Sequence, residues 1–246
     1  TRILSTYKKD PTYELSFLCK IRTFTLFLSL TLASAFIALG SIDRYFCSCR
    51  SVSMRSLSNL RNARRLSLLT TVIGILLYVE IFYCHEANLS TAPVPCYSKN
   101  LPCRLYNDLG FLIFYIFIPL SVMTIFGCLT IGNIKRFRQI TPLQISKTAT
   151  TSLPLTGIKR RNDRQLIKML FAEVLLLLFI DTPVGLQRFY TTIEMSVIKT
   201  PLRVAIDDFV LQLFSSCQYA GNAIPFFLYL FTGSIFRAII KKLFVS

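Results

Sequence analysis

An acid, a base and an aromatic, Asp43-Arg44-Tyr45, close the apolar run that starts near Cys19. Charges of this kind at the end of a membrane-length helix are costly in lipid, so they belong at a membrane surface or against protein. Their chemistry there is that of a switch, in which a cation is held by an acid or released to a partner. The residue set does not support catalysis. No Ser/His/Asp set, phosphate loop or pair of carboxylates on one face can be assembled. The single histidine, His85, cannot complete a usual zinc set with eight cysteines that form no double CxxC pattern. The reading is a protein that is not an enzyme and takes no cofactor and no metal.

The elements that must position such a switch are legible in composition. Of 246 residues, 53% are hydrophobic and 16% charged, and the mean hydropathy is +0.54, too apolar for an ordinary soluble domain. The net charge of +16 could suit nucleic acid, but the basic residues cluster between apolar runs, so no nucleic-acid partner is expected. Five runs, at about 17–45, 66–83, 109–131, 166–188 and 204–231, read as membrane spans. At ~1.5 Å per residue the first crosses a hydrocarbon core of ~30 Å with some tilt. After them, residues 233–245 set Phe236, Ile239, Ile240, Leu243 and Phe244 against Arg237, Lys241 and Lys242, the pattern of a helix lying on a membrane. The fold class is all-α, a polytopic membrane helix bundle forming one domain over 1–246. Residues 1–18 are expected to form a loop, and a chain starting at Thr1 is expected to be a fragment.

Lysine and arginine set the orientation. Residues 46–65, 133–164 and the tail carry five, eight and three of them, while 84–108 and 188–208 carry Lys99, Arg104, Arg188, Lys199 and Arg203. Asp43-Arg44-Tyr45 is therefore expected in the cytoplasm. The opposite loop, with Cys84, Cys96 and Cys103, then faces an oxidising compartment where disulfides persist. Asn88-Leu89-Ser90 in the same loop fits a glycosylation sequon.

Taken together, Cys19, Asp43-Arg44-Tyr45, Pro119, Pro183, the stretch from Asn222 to Tyr229 and the ending Tyr229-Leu230-Phe231-Thr232-Gly233-Ser234-Ile235-Phe236-Arg237 resemble the rhodopsin-like (class A) G-protein-coupled receptors. The resemblance runs from the family's third to seventh helices and its amphipathic helix, without the first two helices. It implies that Cys19, 25 residues before Arg44, pairs with a cysteine of the following outer loop. Cys96 is favoured and Cys103 is the alternative, with the remaining outer cysteines free to form a second bridge. It also implies that Asp43, Arg44 and Tyr45 meet a heterotrimeric G protein and that Pro183 and the Pro225–Tyr229 stretch serve as hinges.

The chain departs from the family in three places. Pro225 sits one position early relative to Tyr229 and lacks its preceding Asn, Asp181 replaces an aromatic two residues before Pro183, and Gly127 stands where a Tyr is common. Asp181 is expected at the floor of the ligand cavity, receiving a basic ligand group; its structural alternative is a buried partner for a Gln, Ser or Tyr of a neighbouring helix. Glu173 falls near mid-membrane, and Glu80, Asp207 and Asp208 read as wet rim residues. Asp163, 20 residues before Pro183, falls ~30 Å away, at the helix end facing Arg44, and the resemblance makes it the resting-state partner of that arginine. The alternative is an acid solvating a basic helix start. Ser56, Ser58, Thr141, Thr148, Thr150, Thr151 and Ser152 are hydroxyls in basic loops, open to phosphorylation.

The functional expectation is a multi-pass plasma-membrane receptor carrying an extracellular signal to a G protein by shifting a two-state equilibrium, with membrane lipids on its basic loops. The general look is similar to neuropeptide receptors, so a peptide ligand is expected. The alternatives are a non-signalling truncated receptor and, behind it, a transporter or channel fragment.

Overall fold

The computed structural model describes residues 15–89, 96–140, 171–194 and 200–232. Its elements are α1 (Ser16–Ser48), α2 (Val52–Leu57), α3 (Leu60–Tyr78), α4 (Ile81–Cys84), strands β1 (His85–Glu86) and β2 (Tyr97–Ser98), α5 (Leu101–Gly110), α6 (Ile118–Ile140), α7 (Thr182–Ile193) and α8 (Pro201–Thr232). Wider π-helical turns, Phe111–Phe117 and Leu177–Asp181, join α5 to α6 and residues 171–176 to α7. Among the described residues, three helices are long and apolar enough to cross a membrane: Ser16–Ser48, Leu60–Cys84 and Leu101–Ile134. The helix through residues 171–193 is interrupted by Glu173, Asp181 and Arg188, which lowers its apolar character.

Two helix starts lie earlier than the hydropathy pattern places them. Asn59 caps α3, its side chain accepting from Asn62 N–H at 2.8 Å, so that the second span begins at Leu60 rather than near residue 66. Asn100 caps α5 by accepting from Cys103 N–H at 3.2 Å, and Pro102 sits in the first turn, where its missing N–H costs nothing. The third span therefore begins at Leu101 rather than Leu109. The cytoplasm-assigned loop is also shorter than 46–65, because α1 runs to Ser48 and α2 fills most of the connection.

Both π turns stand directly before a proline. Pro119 and Pro183 have no N–H to donate, and their rings crowd the carbonyl one turn back. The backbone widens instead: Ile118 N–H reaches Ile113 O, and Thr182 N–H reaches Leu177 O, each five residues back. Thr182 Oγ1 adds a second bond to Leu177 O at 3.0 Å. Such widened turns are local departures that recur at functional sites.

α1 is the central post, packing on α3 and on α6. Its buried residues Phe27, Thr31, Ser34, Ala38 and Ser41 repeat at three- and four-residue steps, one face of a helix, and most are small. Small side chains let helices approach closely in lipid, where van der Waals packing replaces the hydrophobic drive. Around this face Phe27, Tyr78, Ile81, Phe111, Leu112, Tyr115 and Ile116 form one core, and Ala38, Met123 and Leu177 a second. Thr31 and Tyr78 hydroxyls lie 2.7 Å apart, tying α1 to α3 inside it.

Gly185 marks the closest approach of α7 to the Phe111–Phe117 turn: a Cβ there would stand 2.6 Å from Leu112 Cδ2 and 2.8 Å from Ile116 Cδ1. Gly185→Val is expected to force these helices apart and cost about 1–3 kcal/mol, seen as a lowered Tm in detergent. Gly127→Ala, with open space around the added atom, is the comparison and should leave Tm nearly unchanged.

Candidate functional site

Two polar ends and a polar middle are arranged along the bundle. At the end carrying Asp43, the Asp43 carboxylate accepts a hydrogen bond from Ser58 Oγ, just beyond α2. Arg44 is exposed, and no acid among the described residues pairs with it. Tyr45 lays its ring against Phe126 of α6, centroids 5.4 Å apart. One turn on, Asn133 Nδ2 donates to Ser48 Oγ at 3.2 Å. The Asp-Arg-Tyr segment is thus braced by α6 and by the α2 loop, while its guanidinium faces outward.

In the middle, Asp181 is 6% exposed and lies beside Tyr115 and Gln218, from the α5–α6 and α8 helices. Tyr115 OH donates to Asn222 Oδ1 of α8 at 3.5 Å. Three helices therefore meet around one buried acid at the π turn before Pro183. Asp181 Oδ1 and Gln218 Nε2 are both buried without a hydrogen-bond partner among the described residues. Glu173 is buried near Asp181.

At the opposite end two disulfides fix a small hairpin over the bundle. Cys19 is bonded to Cys96, with Cα atoms 5.7 Å apart, and Cys84 to Cys103, at 5.5 Å. Between them β1 pairs antiparallel with β2, His85 opposite Ser98. Beneath the hairpin Arg104 donates from Nε to Ser98 O at 3.1 Å and lies over the Tyr97 ring. Asp108 accepts from Thr192 Oγ1 of α7. The Arg188 guanidinium sits over both Phe27 and Phe111, 5.2 Å from each centroid.

This third cluster was not anticipated as a site. Arg188 reads in the sequence as a loop residue, yet it lies inside α7 with Nε buried. Asp108 reads as the end of a loop, yet it is buried in α5. The signal was available: Cys103, Arg104, Asn107 and Asp108 fall one helical turn apart, which puts a polar face on α5 that must turn inward. Glu80 also differs from the wet rim expected of it, because both carboxyl oxygens are buried and lack a partner among the described residues. The helix continues past it to Cys84, carrying Glu80 under the loop instead of out to water.

Of the other anticipated residues, Pro183 lies in the first turn of α7 and Asn88 is exposed, with φ 61°, a left-handed turn position that Asn tolerates. Ser90, the third residue of its sequon, lies outside the described residues. Pro225 and Tyr229 fall in α8, their side chains outside that description. Asp163 and residues 233–245 lie outside it altogether, as do Thr141, Thr148, Thr150, Thr151 and Ser152. Among the described residues no three His, Cys, Asp or Glu side chains cluster as a metal site would require.

His85 stands just past the second span, 3% exposed, with Ser98 Oγ 3.3 Å from Nε2 and Nδ1 unpartnered among the described residues. Burial, with Arg188 and Lys20 adding repulsion, pushes its pKa down from 6.5 to about 4. Below pH 6.5 the unfolded chain takes up a proton that the folded site refuses, so stability present above that pH is lost as pH falls toward 4. The loss is expected to approach about 3 kcal/mol. Tm measured from pH 7.5 to pH 4.5 should fall more steeply for the native chain than for His85→Gln; parallel profiles would contradict the assignment.

The family model described as 7 transmembrane receptor (rhodopsin family) matches residues 4–229. No curated protein matches the chain.

Proposed function

The chain belongs to the rhodopsin family of seven-transmembrane receptors, a multi-pass membrane protein of helical architecture, and on that premise we propose that it carries an extracellular peptide signal across the plasma membrane to a heterotrimeric G protein. The observation that carries this reading is the state of the Asp43-Arg44-Tyr45 segment. Asp43 is engaged by Ser58, leaving the neighbouring Arg44 exposed and available to a cytoplasmic partner. A receptor needs such a group at one end and a ligand-responsive group at the other, with the two coupled by a shift between pre-existing states rather than by chemistry.

Asp181 supplies the responsive element in this account. Its carboxylate lies buried against Tyr115 and Gln218 with Oδ1 unpartnered among the described residues, and a cationic ligand group reaching it would redraw those contacts. The π turn and Pro183 beside it give the helix a place to bend. A basic or amidated peptide fits this end better than a simple amine, since the first span carries no acid in its disulfide-side half. Asp163 is assigned as the resting partner of Arg44, the basic loops as the surface meeting anionic lipid, and Asn88 as a glycan acceptor. No catalytic role is assigned to any residue.

The test is made on receptor at equal surface expression. Asp163→Ala should raise ligand-independent nucleotide exchange on G proteins by roughly fivefold or more, and Arg44→Ala should abolish it in the same background. Unchanged basal exchange in Asp163→Ala would remove the pairing, and full exchange in Arg44→Ala would remove the coupling role.

A further inference from the structure

Arg188 is a cation held in place without an acid. It lies on α7, half-buried, with Nε buried, and none of its nitrogens has a hydrogen bond or ion pair among the described residues. Phe27 of α1 and Phe111 of the Phe111–Phe117 turn hold it instead, each ring centroid 5.2 Å from the guanidinium carbon. Aromatic faces attract a cation, but they leave its fork of N–H donors unmatched. The acids around it do not supply the match. Asp108 lies within electrostatic reach of Arg188, yet it accepts from Thr192 Oγ1 and forms no ion pair with the guanidinium. Glu80 has both carboxyl oxygens buried and unpartnered among the described residues, so it is not bonded to Arg188 either. Lys20 and Arg188 instead both lie within reach of His85, so cations gather beneath the hairpin. A donor withdrawn from water without an acceptor is costly, and an acceptor brought from outside would remove that cost.

We infer that Arg188 is the subsite for a carboxylate of the ligand, clamped between Phe27 and Phe111 so that its N–H fork is oriented before the ligand arrives. A carboxylate offers two oxygens to two parallel N–H bonds, a geometry that a guanidinium matches and an ammonium does not. Its source is an Asp or Glu side chain or a free chain end, since both present the same two oxygens. Arg188 follows Asp181 by seven residues, two helical turns, which puts both on one face about 10 Å apart along the axis. About three residues of extended peptide cover that distance. One peptide can therefore bring a basic group to Asp181 and a carboxylate to Arg188. That two-point fit, and a signalling peptide as the occupant, rest on the function proposed above; the carboxylate subsite stands on Arg188 and the two rings alone.

The first test needs no variant. The purified full-length receptor would be treated with phenylglyoxal, which condenses with guanidinium groups, and adducts on Arg188 and on the exposed Arg203 quantified by mass spectrometry. Phenylacetate at millimolar concentration should slow the reaction at Arg188 by about threefold or more and leave Arg203 unaffected, whereas phenylacetamide, with the same ring and no charge, should slow neither. No slowing by the acid, equal slowing by the amide or at Arg203, or an Arg188 that never reacts overturns the subsite. Two pools of short random peptides, one C-terminally amidated and one with a free C-terminus but no Asp or Glu, would then be selected on the immobilised receptor. Enrichment of Asp or Glu in the first assigns the carboxylate to a side chain; retention of the second over its amidated counterpart assigns it to the chain end. Either preference should fall about tenfold or more in Arg188→Gln and turn toward basic peptides in Arg188→Glu. A preference that survives Arg188→Gln, or none in either pool, overturns the assignment. Peptides that bind through Arg188 but drive no nucleotide exchange on G proteins keep the subsite and remove the signalling reading instead.

Discussion

A polar side chain carried into a membrane by a helix has no water to turn to, so its partner must come from a neighbouring helix. That constraint organises this molecule. Thr31 of α1 finds Tyr78 of α3, Asp108 of α5 finds Thr192 of α7, and Tyr115 finds Asn222 of α8. Lipid offers little hydrophobic drive for helices to associate, so these bonds and the close packing of small residues on α1 give the bundle its specific register. Each bond also couples the two helices that share it, and a change at one is felt by the other.

The same constraint sets where the helices depart from regular geometry. Pro119 and Pro183 interrupt their ladders within the membrane, and the backbone answers with a widened turn rather than a clean break. Asp181 sits at the end of one such turn and its neighbour Tyr115 within the other. The buried acid therefore lies where the helices are least regular. At the disulfide end the two cystines and the β1–β2 hairpin cross-link the loop to the helices.

Much of this was legible in the residues. The apolar runs announced long helices, three of which are apolar enough to cross a membrane among the described residues, and the cysteines ahead of α5 announced cross-links. Helix starts were misplaced because hydropathy does not see caps: Asn59 and Asn100 begin their helices in polar sequence well before the apolar run. The Arg104, Asp108 and Arg188 cluster escaped for a related reason. Its members look like loop charges until α5 and α7 extend far enough to turn them inward, and only tertiary packing shows that Asp108 meets Thr192 or that Arg188 rests on two phenyl rings. The bond from Ser58 to Asp43 spans 15 residues of chain and leaves no pattern in composition. Asp181, by contrast, was conspicuous as an acid beside an intramembrane proline, and it lies buried.

The central proposal is that the residue-171 end of the Pro183 helix moves relative to α1 when a G protein is engaged. Spin labels at Cys47 and at a cysteine replacing Phe171, both exposed, would report that separation by pulsed electron resonance in the full-length receptor. The account predicts a short-distance population in the receptor alone and a longer one, by several ångströms, when nucleotide-free G protein is added. A single distance distribution, unaltered by a G protein shown to be bound, would contradict it.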